Sequence, residues 1–169
     1  MMTGMRLFSI FGIFSILLVC SLSPEVVAQT PSTAAVTMDA KQALDGLSRD
    51  LARKLKDPSS SEFGPALEEA SQFVKAKIDK KTATVNFKIK AVERANGKIT
   101  LLSTDEEERV SGIAFAVQHT IMLSPGQEAL ADKLKPGSRV KATCEIYGHM
   151  SRERSKPKLV IEGYKPVFQ

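Results

Sequence analysis

The chain predicts a mainly β (α+β) fold: a small five-stranded Greek-key barrel with one helix between its third and fourth strands, preceded by two N-terminal helices. Three observations carry that prediction. From Thr82 onward, apolar and polar residues alternate with the period of two expected of half-buried strands. Turn signals such as Asn96-Gly97 and Pro136-Gly137 separate those runs. A short helical run fits between Pro125 and Lys133, after three strands and before two more.

The N-terminus is read first as a targeting segment. Arg6 followed by the apolar run Leu7 to Val19 has the layout of a secretory signal peptide, and Val26, Val27 and Ala28 place cleavage after Ala28. The run is shorter than the roughly 20 apolar residues a membrane span needs. Leu17 ahead of Cys20 raises a lipoprotein reading, but Val19 stands where a small residue belongs. An uncleaved anchor is the other alternative. The plan is therefore a signal peptide over 1–28, a flexible Thr/Ser/Pro leader over 29–38, a two-helix extension over 39–81 and the barrel over 82–169. The expected location is the periplasm or the exterior, with no stable membrane span once the signal is removed. Cleavage leaves Cys144 as the one thiol, so the core must hold the fold without an internal disulfide.

Each element has its own signal. Asp39 caps a helix whose Leu44, Leu47, Leu51 and Leu55 form one apolar stripe, stopped by Asp57-Pro58. Pro65 opens a second helix with Leu67, Ala70, Phe73, Val74 and Ile78 on one face and lysines crowding its end. The first strand alternates Val85, Phe87, Ile89 and Ala91 with Asn86, Lys88 and Lys90. Ile99 to Ser103 returns as the second strand, Asp105 to Glu108 forms an acidic turn, and Val110 to Gln118 is the third strand. In the fourth, Val140, Ala142, Cys144 and Ile146 alternate with polar residues. A basic loop from Ser151 to Lys158 leads into the closing strand, Leu159 to Tyr164.

The segment Leu134 to Ala142, a leucine, a Pro-Gly turn and then alternating Val140 and Ala142, resembles the lead-in to the fourth strand of OB-fold proteins. It is most similar to the tRNA_anti-like group of exported bacterial proteins. The resemblance covers Thr82 to Val167 and leaves out the N-terminal helices. It implies a nucleic-acid-binding type of barrel and brings no catalytic residues; fold alone selects no ligand.

Charge and ring content narrow the function. The net charge of +5 suits a polyanion partner, whether nucleic acid, anionic envelope polymer or lipid headgroup, and equally suits a soluble domain. Arg152, Arg154, Lys156 and Lys158 concentrate cations in the connection between the last two strands, which lines the ligand face in OB folds. Tyr147, just ahead of them, is the ring best placed to stack on a base. Those five residues are the expected ligand-binding set. The solvated-hairpin reading of the same cations is the bland alternative. The absence of Trp weakens a single-strand nucleic-acid role.

The outward face carrying Leu102, Gly112, Ala114 and Ala116 is smooth and apolar, and the leucine stripe of the first helix is the expected cover. No cofactor and no metal site are expected, because Cys144, His119 and His149 have no ligand spacing, and no nucleophile sits in a recognisable turn. The expectation is a non-enzymatic binding or interaction module for an anionic polymer or an envelope protein. A nucleic-acid-binding protein and a structural domain without ligand are the alternatives.

Overall fold

The computed structural model describes residues 36–154 and 156–169. The signal peptide, its cleavage site, Cys20 and most of the leader lie outside the described residues. The first two leader residues that are described, Val36–Thr37, form a short strand, β1, parallel to the next strand; Met38 N–H continues the pairing by donating to the Thr84 carbonyl at 2.9 Å.

The first expected helix is two helices. Asp39 caps α1 (Ala40–Leu44) through a reciprocal pair of bonds with Gln42, and Ser48 caps α2 (Arg49–Lys54) by accepting from Leu51 N–H. Gly46 lies between them at φ 85°, a left-handed conformation that ends α1 and redirects the chain. All four leucines of the stripe still reach the interior, because the break at Asp45-Gly46 falls on exposed residues between stripe positions. The second helix, α3, runs Phe63–Ile78 and buries Phe63, Ala66, Ala70, Val74 and Ile78.

Six further strands follow: β2 (Lys81–Ala95), β3 (Lys98–Ser103), β4 (Glu106–Val110), β5 (Ile113–Met122), β6 (Arg139–Glu153) and β7 (Lys156–Phe168), with the single-turn α4 (Glu128–Ala131) between β5 and β6. The sheet order is β1-β2-β3-β5-β7-β6, and β6 pairs back onto β2, so the sheet closes into a ring. Closure depends on β2 being long. Its first half, Lys81–Lys88, pairs with β6, and its second half, Ile89–Ala95, pairs with β3, with a register shift between Ile89 and Ala91 where it changes partner. The β5–β7 pairing is parallel and the other pairings within the ring are antiparallel.

Three expectations about the strands need correction. The acidic segment is not a turn: Glu106–Val110 pairs with β5, Glu107 opposite Ala116 and Arg109 opposite Ala114, and the chain reverses instead at Ser111-Gly112. Those acidic side chains are solvated, so the strand shows no apolar alternation of its own and is held by the β5 ladder. The basic loop is a hairpin: β6 extends to Glu153, β7 begins at Lys156, and Arg152 stands opposite Pro157. The leucine stripe joins one core cluster with Val85, Phe115 and Ile146, residues on the inward face of the strands. On the opposite face Leu102, Ala114 and Ala116 remain half-buried and Gly112 exposed.

Helix and ring meet at α3 and β6. Beyond Ile146, β6 has outrun β2 and keeps a strand neighbour on one side only. The exposed edge is closed by side chains of α3 and its C-terminal cap: Gly148 N–H donates to Asp79 Oδ1 at 2.8 Å and Met150 N–H to Ser71 Oγ at 3.1 Å. A Cβ at Gly148 would lie 2.6 Å from Val74 Cγ1 and overlap Ile78 Cδ1. Gly148→Ala is therefore expected to destabilise the fold by roughly 1–3 kcal/mol in urea unfolding, with partial recovery in the double variant Gly148→Ala, Ile78→Val. Ser71→Ala strands the Met150 amide and is expected to cost about 1–3 kcal/mol.

Candidate functional site: a tyrosine cleft on β6 and β7

The same strands that hold the core present a second surface on their opposite face. Glu145 and Tyr147 on β6 stand across from Tyr164 and Glu162 on β7, so each tyrosine faces a glutamate of the other strand. Each tyrosine also donates to the glutamate two residues before it: Tyr147 Oη to Glu145 Oε1 at 2.5 Å and Tyr164 Oη to Glu162 Oε2 at 2.9 Å. The two rings meet edge to face, 5.4 Å between centroids at 89°, a favoured aromatic geometry. The result is a crossed square of two rings and two carboxylates.

One stripe of α3, Glu68, Ser71 and Lys75, with Asp79 just past the helix end, forms the far wall, and together these residues line an open cleft of about 640 Å³. Its charged lining is Glu68, Asp79, Glu145 and Glu162 against Lys75 and Lys165, an acidic excess in a basic chain. The hydrogen bond from Tyr147, reinforced by Lys165 Nζ at 3.4 Å, holds the Glu145 carboxyl below its usual pKa. The same bond raises the Tyr147 phenol, and burial followed by the Glu162 bond raises Tyr164. Both phenols stay protonated donors near neutral pH, and the Glu145 carboxylate stays ionised.

The expected ligand-binding residues are not brought together. Tyr147 lies in the acidic cleft, on the face of β6 opposite to Arg152. The Arg152 guanidinium stacks over the Phe63 ring at 5.4 Å, and its Nε reaches the Arg154 carbonyl at 3.4 Å. Lys156 pairs with Glu107, which lowers that carboxyl's pKa, and Lys158 pairs with Glu153 at 2.8 Å with a mostly buried side chain. Arg154 occupies the hairpin turn at φ 49°. Glu107 comes from the acidic segment expected to be a turn; as a strand it stands beside the hairpin and neutralises part of it.

The sequence did contain a sign of the cleft. Glu145-Ile146-Tyr147 and Glu162-Gly163-Tyr164 repeat one Glu-x-Tyr pattern in the last two strands. In a strand, residues two apart share a face, so each pair falls side by side. The contribution of α3 left no such sign, because Glu68 and Asp79 read as ordinary solvated charges on a helix.

The remaining titratable groups are interior ones. Cys144 is buried and its thiol pKa is pushed up to about 11 by burial, so it is not a nucleophile at neutral pH. His119 points inward, stacked on Phe87 at 5.6 Å and 11°, with Nδ1 buried and without a hydrogen-bond partner. Among the described residues no group of three or more His, Cys, Asp or Glu side chains is placed to hold a metal ion, and no helix is long and apolar enough to cross a membrane.

No family model matches the chain, and no curated protein matches it. Among solved structures, a crystal structure assigned to an aspartyl-tRNA synthetase from Leishmania major Friedlin is similar at 11% identity and TM-score 0.34, over 55% of this chain and 18% of that one. The chain thus spans less than a fifth of that protein, and a likeness of this size assigns it neither fold family nor activity.

Burial lowers the His119 pKa from 6.5 to about 4. Between those values the unfolded chain binds more protons than the folded one, so stability rises with pH across the window. The contribution is complete above pH 6.5 and lost progressively as pH falls to about 4, roughly 3 kcal/mol in all. Urea unfolding at several pH values is expected to show this loss, and His119→Leu to flatten it.

Proposed function

We propose that the chain is an exported, non-catalytic binding module of the OB type whose ligand site is the tyrosine cleft and whose ligand is a partner protein of the envelope. The OB reading is supported by the strand order. Taking β2, β3, β5, β6 and β7 as strands one to five, the fourth returns to lie beside the first, which is the Greek-key arrangement, and α4 falls between the third and fourth. Export rests on the sequence pattern of the first 28 residues.

The observation that carries the functional reading is the cleft itself: two half-buried rings, carboxylates beside them and a helical wall, in a volume that suits a side chain or short segment of a partner. Its polar groups are held in fixed geometry by one another, as recognition requires.

An anionic polymer, nucleic acid included, is the second reading. It draws on the net charge of +5 and on Arg152, Arg154, Lys156 and Lys158. The pairing of Lys156 with Glu107 and Lys158 with Glu153 counts against it, since a phosphate would have to displace a carboxylate already in place.

Amide-shift mapping of the protein titrated with single-stranded DNA, a sulfated polysaccharide and short peptides separates the two. The cleft reading expects peptide-dependent shifts centred on Tyr147, Tyr164 and α3. Salt-sensitive DNA or polysaccharide shifts centred on residues 152–158, lost when all four cations are replaced with alanine, would replace it with the polyanion reading.

A further inference from the structure

The cleft has a charge opposite to that of the chain that carries it. The whole protein is +5, so a cationic ligand is repelled at long range by most of the surface. At the cleft the balance reverses, with Glu68, Asp79, Glu145 and Glu162 outnumbering Lys75 and Lys165. The carboxylates stand beside aromatic rings, and their positions are fixed by the tyrosine hydroxyls at 2.5 and 2.9 Å.

An ammonium or guanidinium gains from both features at once. A ring face attracts a cation, and a neighbouring carboxylate accepts its N–H groups. The guanidinium has the better fit of the two, because its planar fork lies along a ring while donating at its edge. One cation is already drawn in: the Lys165 ammonium sits 3.4 Å from Glu145 Oε2, although its side chain is 82% exposed and so readily displaced.

Resting on the cleft as ligand site, we propose that its occupant is an arginine side chain on a segment of a partner protein, seated between the tyrosine pair and the carboxylates of Glu145 and Glu162, with Lys165 as the intramolecular cation it displaces.

The chain supplies its own probe. It has two tyrosines and no tryptophan, and both tyrosines are in the cleft, so intrinsic tyrosine emission reports on this site alone. The protein is titrated with the capped peptide Gly-Arg-Gly-Arg-Gly and with counterparts in which citrulline or glutamate replaces arginine, none of which fluoresces. The arginine peptide is expected to change the emission saturably and to bind about tenfold more tightly than the citrulline peptide. Glu162→Gln is expected to weaken it about tenfold, and Lys165→Gln to strengthen it about two- to threefold.

The wild-type comparison and the Lys165→Gln gain need no destabilised variant. A citrulline or glutamate peptide that perturbs the tyrosines as strongly as the arginine peptide overturns the cation assignment and leaves the cleft as ligand site. No tyrosine response to any of the three, with the fold intact by circular dichroism, removes both.

Discussion

The contact between α3 and the free edge of β6 is the constraint on which the rest of the structure turns. A strand that outruns its neighbour exposes backbone N–H groups on one side, and burying them unpaired is costly. Here Ser71 in α3 and Asp79 at its C-terminal cap replace the missing strand at Met150 and Gly148. The helix can come this close because Gly148 has no Cβ, and Val74 and Ile78 fill that space. Without the glycine the helix would stand off, and both the edge bonds and the packing of Val74 would be lost together.

That contact also makes the cleft. Ser71 and Asp79 serve the β6 edge with one set of atoms and line the cleft beside Tyr147 and Tyr164 as part of the stripe that begins at Glu68 and includes Lys75. Helix, strand edge and tyrosine pair are therefore one unit, in which stability and recognition share residues. The crossed Glu-Tyr square is rigid for a similar reason: each glutamate has a cross-strand tyrosine opposite and a tyrosine of its own strand bonded to it.

The basic hairpin shows the reverse case, where folding removes chemistry that the linear sequence advertised. Four cations within seven positions read as a patch. The register sets Lys158 opposite Ser151, from where its ammonium reaches diagonally to Glu153, the hairpin brings Lys156 to Glu107, and Arg152 is carried to the inner side over Phe63. Surface ion pairs add little stability, but they change what the surface offers to a phosphate.

What the sequence by itself determined were local matters: which strand residues face inward, where Asp39 caps a helix, where Asn96-Gly97 turns, and that Cys144 lies in the interior. Period-two alternation and cap chemistry are short-range, so nearby residues suffice to read them. The break at Gly46 was also local, and was hidden because the leucine spacing continues across it. Only the tertiary structure decided that Glu106–Val110 is a strand, since its pairing partner rather than its own pattern holds it. The same is true of the cleft: Glu68 and Asp79 are some eighty residues from the tyrosines they face, and no spacing rule spans that distance. Charge in a protein acts through its neighbours in space, and those were set by the docking of α3 on β6.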